Sequence, residues 1–249
     1  MHPGRRCSAV LTADLLQKYG LPEDQVLDAV ELAVTRTLSA AFDTTISVRA
    51  ENGLEIVAYP RIGRPVEVPL HAITRKLRRH ILHNVELELQ RRQALREAEV
   101  LQELRGQVIY GTVGRIEDGG TLRVVLEIDE AFRRLILSGE CPLLYQPGHE
   151  RGLYRVGDMR AFHVTRVHAV QAGRHSARVR IQLSRTSPQL PELLLKKVTG
   201  VDGIVCQRRV AGGFSRLATP VRLPKSAINS VGKELGEHLY VFVAEKSGR

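Results

Sequence analysis

The chain of 249 residues has no tryptophan, two methionines, three cysteines and only 4% aromatic residues. Each shortage excludes something. Cys7, Cys141 and Cys206 lie far apart with no paired spacing, so they suggest neither a disulfide framework nor a zinc site, and a reducing compartment suits them. No stretch approaches the roughly 18 apolar residues that a membrane span needs, and the start, MHPGRRCSAVL, has no apolar core for a signal peptide. A cytoplasmic protein without membrane association is expected, acting as a monomer. Also missing are a glycine-rich phosphate loop, a nucleophile beside a base, and a metal-ligand cluster. Asp14, Asp24 and Asp28 are scattered carboxylates, and His80 and His83 share a helix face with no third ligand in sight. The expectation is therefore a non-enzyme with no cofactor and no metal.

What is present is positive charge, unevenly placed. The formal net charge is +10, yet residues 1–103 carry 14 Lys/Arg and 14 Asp/Glu. Residues 104–186 carry 13 arginines, no lysine and 8 acids, and residues 187–249 carry 10 basic and 5 acidic residues. A neutral head followed by a basic remainder points to a polyanionic partner, nucleic acid first.

Apolar periodicity divides the chain further. Val26, Ala29, Val30, Ala33, Leu38, Ala41 and Phe42 recur at helical spacing after Pro22-Glu23-Asp24, which suits a helix start. Leu11, Leu15, Leu16 and Tyr19 suggest a shorter helix before it. Period-two segments from Ile46 and from Leu54 flank Asn52-Gly53, a hairpin signal. A long helix is predicted from Leu70 to about Leu104, spanning about 50 Å. Strands are predicted at 107–116, 121–128, 133–138, 159–170 and 177–184, which suits a small closed barrel. A helix near 188–197, strands near 203–211 and 214–223, a helix at 225–235 and a strand at 238–243 complete an α/β unit.

The barrel segments resemble the S1 variety of the OB-fold through GQVIYGTVGRIEDGGTLRVVL (106–126), YRVGD (154–158) and LSRTSP (183–188). The flanks, QVLDAVELAVTRTLSAAF (25–42) and SAINSVGKELGEHLYVFV (226–243), make the chain similar to the NusA family of bacterial transcription elongation and termination factors. The resemblance implies an α+β multidomain protein: an α/β head with a long linker helix (1–104), an S1 barrel (105–186) and a small, degenerate KH-like module (187–249). It implies a head that docks on RNA polymerase and a barrel that guides nascent single-stranded RNA in pausing, termination or antitermination. Two departures matter. Where a KH module clamps RNA with a Gly-x-x-Gly loop, this chain has Arg222-Leu-Pro-Lys-Ser226, and a helix is missing with the loop. Where many S1 barrels carry aromatic rings, it has Gly119 and Leu122. An S1/KH subunit of an RNA-degrading complex and a ribosome-associated S1 protein are the alternatives.

Alternation along the strands turns Arg123, Arg178 and Arg180 outward. With Arg115, Arg133, Arg134, Arg166 and Arg174 they are the candidate RNA contacts, joined by Tyr110 and His163 as stacking groups and by Lys225. His175 lies beside Arg174 in the same loop. The alternative for the arginines is an ordinary solvated surface paired to Glu117, Asp118, Glu127 or Asp129. RNA binding through arginines depends strongly on salt and reads sequence weakly.

Overall fold

The computed structural model describes residues 15, 17–50, 53–130, 133–172 and 176–244. Helix α1 (Glu23–Phe42) starts after Pro22, with Glu23 and Asp24 in the first turn against the positive end of the helix dipole. It stops at Asp43, which takes the left-handed conformation (φ 48°) and returns its N–H to the Ser39 carbonyl. Asn52 and the first predicted helix residues, Leu11 and Leu16, lie outside the described residues. Strands β1 (Thr45–Arg49), β2 (Glu55–Tyr59) and β3 (Val66–Glu67) form an antiparallel sheet in that order.

The predicted long helix is shorter than its apolar pattern. Pro69 leads into a single 3₁₀ turn at Leu70–Ala72, and helix α2 runs from Arg75 to Val100. Thr74 caps it, its hydroxyl accepting the Leu77 N–H at 3.3 Å. A second 3₁₀ turn, Leu101–Leu104, ends the segment. The α-helical part has 26 residues, or about 39 Å. Val26, Ala29 and Leu38 of α1, Ile46 and Ile56 of the sheet, and Val85 and Leu89 of α2 form one core.

Strands β4 (Val108–Ile116), β5 (Leu122–Glu130), β6 (Arg133–Cys141), β7 (Met159–Ala172) and β8 (Ser176–Ser184) close into a barrel in the order β4-β5-β6-β8-β7. β6 and β8 run parallel, with Gly139 opposite Ile181 and Glu140 opposite Gln182. Val113, Leu122, Val124, Leu126, Phe162, Val164, Ile181 and Leu183 fill the interior. Gly139 is needed there, because a Cβ would sit 2.5 Å from Leu183 Cδ1.

Helix α3 (Leu190–Thr199), strands β9 (Val205–Val210) and β10 (Phe214–Thr219), helix α4 (Lys225–Leu235) and strand β11 (His238–Val243) follow. The sheet order is β11-β10-β9, antiparallel between β9 and β10 and parallel between β10 and β11. Leu190, Leu194, Leu217, Val231 and Leu235 pack with Val108 and Ala161 of the barrel in one cluster. Two arginines with buried side chains, each ion-paired, reinforce that cluster. Arg185, 1% exposed, bonds both carboxylate oxygens of Glu150 at 2.6 and 2.5 Å and Glu234 Oε1 at 3.0 Å. Its guanidinium also donates to the carbonyls of Ala161 and Glu234 at 2.8 and 2.9 Å. Arg209 Nη2 donates to Glu237 Oε1 at 2.7 Å, and Arg209 Nη1 donates to the Ser187 carbonyl.

By its contacts the chain divides into Met1–Glu99 with Ala169–Val179, and Val100–His168 with Arg180–Arg249. The protein is thus a mixed α+β structure with three sheets among the described residues. No described helix is long and apolar enough to cross a membrane.

Candidate nucleic-acid interface

The alternation that buries Leu122, Val124 and Leu126 inside the barrel sends Arg123 to its outer surface. There it lies directly across from Glu140 of β6. Arg123 Nε donates to Glu117 Oε1 at 2.6 Å, and its Nη1 donates to Glu140. Arg180 of β8 reaches the same carboxylate, with Nε 2.9 Å from Glu140 Oε2. One carboxylate, only 8% exposed as a residue, therefore holds Arg123 by a hydrogen bond and draws Arg180 to it as an ion pair from a second strand. Arg115, exposed on β4, is the cross-strand partner of Arg123.

His168 belongs to the same surface. Burial lowers its pKa below the usual histidine value, and the charges of Arg166 and Arg180 lower it further, while Glu140 acts in the opposite sense. Its Nδ1 is buried without a hydrogen-bond partner. With Glu127 exposed on the same side of β5 as Arg123, four arginines, Arg115, Arg123, Arg166 and Arg180, stand against Glu117, Glu127 and Glu140 when His168 is neutral. Guanidiniums already held by a carboxylate lose little freedom on meeting a phosphate, and their planar forks suit its oxygens.

The other predicted residues fall elsewhere. Tyr110 is 40% exposed, and Lys197 Nζ of α3 stands 5.4 Å from its ring centroid. Burial raises the Tyr110 pKa. Lys225 is exposed and opens α4 after Pro224. Arg178 is exposed and groups with the first unit. Arg133 and Arg134 lie on β6 opposite Glu130 and Asp129, but their side chains are outside the described ones. Arg174 and His175 are outside the described residues. His163 is a correction: it is 5% exposed and cannot stack on RNA. The segment after β8 covers it, and its Nδ1 lies 2.7 Å from Ser187 Oγ. Burial, then the charge of Arg209, lowers its pKa.

Glu140 and His168 were not singled out by the sequence. Strand β6 runs three residues beyond its predicted end at Ser138, so Glu140 is a strand residue facing Arg123. A period-two reading continued to Cys141 would have found it. Among the described residues no three His, Cys, Asp or Glu side chains gather as a metal site would require.

The link between β10 and α4 has no glycine, and α4 is the one helix between β10 and β11. Gly232 lies within α4, while Gly236 caps it with φ 64°. A Gly-x-x-Gly clamp is thus not formed by these residues. Comparison with protein-family models and with curated proteins gives no match to this chain.

Proposed function

We propose that this chain is an RNA-binding transcription factor of the NusA-like kind, with the barrel as the contact for nascent single-stranded RNA. The observation that carries the reading is the closed five-stranded barrel with the order β4-β5-β6-β8-β7 and a parallel β6/β8 pair. That order supports an OB-fold reading, in which the second and third strands form the usual oligonucleotide face. Here those two strands are β5 and β6, and they carry the Arg123–Glu140 pair at the centre of the positive surface. The αββαβ order of the C-terminal segment, with β10 parallel to β11, suits a KH-like module that has lost a helix.

The head is assigned to RNA polymerase. It supports that role with apolar side chains left in water: Ile62 is 93% exposed, and Tyr59, Val66 and Leu70 nearby in sequence are exposed too. Gathered into one patch, such groups would suit a protein-binding surface. The assembly acts without chemistry of its own, holding RNA through arginines while the head fixes where it does so.

The test is retention of the full-length chain on immobilised core RNA polymerase. Retention that Ile62→Asp with Val66→Asp abolishes, while RNA binding stays intact, is the expected result. Failure of the wild-type chain to be retained, with retention on a nuclease complex or a ribosomal subunit instead, contradicts the transcription reading.

A further inference from the structure

The C-terminal sheet has one face against helices and one face open. Leu217, Leu239 and Val241 turn toward α3 and α4 and join their core. The alternate residues turn the other way. Across the strands, Phe214 pairs with Val210 and His238, and Arg216 pairs with Arg208 and Tyr240. Tyr240 is 59% exposed and Phe242 38%. The chain has only five phenylalanines and six tyrosines, so three rings on one small open face is a marked concentration.

The rings are interleaved with cations. The Phe214 and Tyr240 rings meet edge to face at 6.1 Å, and the Arg208 guanidinium carbon lies 5.7 Å from the Phe214 centroid. Among the described residues, no carboxylate pairs with Arg208 or Arg216. The strands β9, β10 and β11 contain no Asp or Glu at all. A shallow depression of about 700 Å³ runs along Phe214, Arg216, Tyr240 and Phe242. Two residues along a strand stand about 6.7 Å apart, so Tyr240 and Phe242 offer two separate ring surfaces.

We infer that this open sheet face is a second single-stranded RNA surface, on which Tyr240, Phe242 and Phe214 stack unpaired bases and Arg208 and Arg216 hold the phosphates. The inference rests on the RNA-binding reading above and adds to it a site with different chemistry. An exposed sheet with aromatic side chains on its strands is a general solution for holding splayed bases. A polyanion is the occupant that fits a face with two unpaired arginines and no acid. An apolar protein surface would leave those arginines without partners.

The test uses the full-length chain and a 12-nucleotide unstructured RNA containing 2-aminopurine. Three proteins are compared: wild type, Tyr240→Thr with Phe242→Thr, and Arg115→Gln with Arg166→Gln. Threonine keeps strand propensity while removing the rings, and an unchanged melting temperature certifies the fold. The ring variant is expected to bind roughly 30-fold or more weakly, to lose the quenching of 2-aminopurine, and to keep its salt dependence. Tyr240→Phe with Phe242→Tyr should bind as wild type does. An RNA affinity and quenching unchanged in the ring variant overturn this inference and leave the barrel reading standing. Loss in the ring variant with none in the Arg115/Arg166 variant supports the sheet and contradicts the barrel. Wild type that binds no RNA, or that binds matching DNA tenfold tighter, overturns the assignment of the face to RNA. So does a ring variant that dissociates a dimer seen by light scattering without affecting RNA.

Discussion

Arg185 has the environment that a buried guanidinium requires, with all three nitrogens donating to oxygen. Burial works against charge at Glu150, but the hydrogen bonds and charge of Arg185 outweigh it and hold the carboxyl below its usual range. Arg185→Met would take from the largely buried Glu150 its cationic partner and leave it the Tyr154 hydroxyl, which costs up to about 3–5 kcal/mol. Urea unfolding should report that loss, and a change below about 1 kcal/mol would mean the network is dispensable. Two histidines with lowered pKa values give a pH signature. His163 and His168 both have pKa values lowered from 6.5, so the unfolded chain binds more protons than the folded one as pH drops. Their contribution is complete above about pH 6.5 and is lost as pH falls through the lowered folded values. The melting temperature should fall between about pH 7.5 and 5.5, and His163→Asn should flatten that fall. An unaltered slope in the variant would show that His163 is not the titrating group.

At the level of elements, local pattern carried far, and its failures have identifiable causes. Lys225–Leu235 occupies its predicted position because it has one clean apolar period, and His238–Val243 does because a short, continuous apolar run after Gly236 suits a strand. The long helix broke at Thr74 because the apolar positions Leu70 and Ile73 continue the helical spacing through a turn, so periodicity alone did not reveal the cap. Glu140 was lost with the end of β6, and the outward row Tyr240–Phe242 was hidden inside HLYVFV, where both faces are apolar. His163 illustrates a different limit. A strand's outer face reads as surface until the chain that covers it, here around Ser187, is placed by the fold. The docking of the 142–157 loop was likewise not legible. Gly212 has φ 84°, and a Cβ there would lie 2.0 Å from His149 Nδ1. Gly212→Ala should destabilise by at least about 1–2 kcal/mol, and His149→Ala in the same chain should recover part of the loss. A double-mutant cycle measures the coupling. Strict additivity would contradict the contact.

Across the whole molecule, the charge asymmetry of the sequence becomes two surfaces of different character. The barrel surface around Glu140 is electrostatic, with cations gathered on a carboxylate, while Tyr110 lies elsewhere against Lys197. The open C-terminal sheet face supplies rings and unpaired arginines. On the proposed reading, such a division would let a chain with 4% aromatic residues hold single-stranded RNA without a Gly-x-x-Gly loop. The barrel claim is tested most directly by the salt dependence of RNA affinity for the full-length chain and its Arg115→Gln, Arg166→Gln variant. Each phosphate contact contributes a slope of about −0.7 to log K against log salt for a single strand. The account predicts weaker binding to unrelated RNA sequences and a slope shallower by about 1.4 in the variant. Equal affinity and equal slope would contradict it.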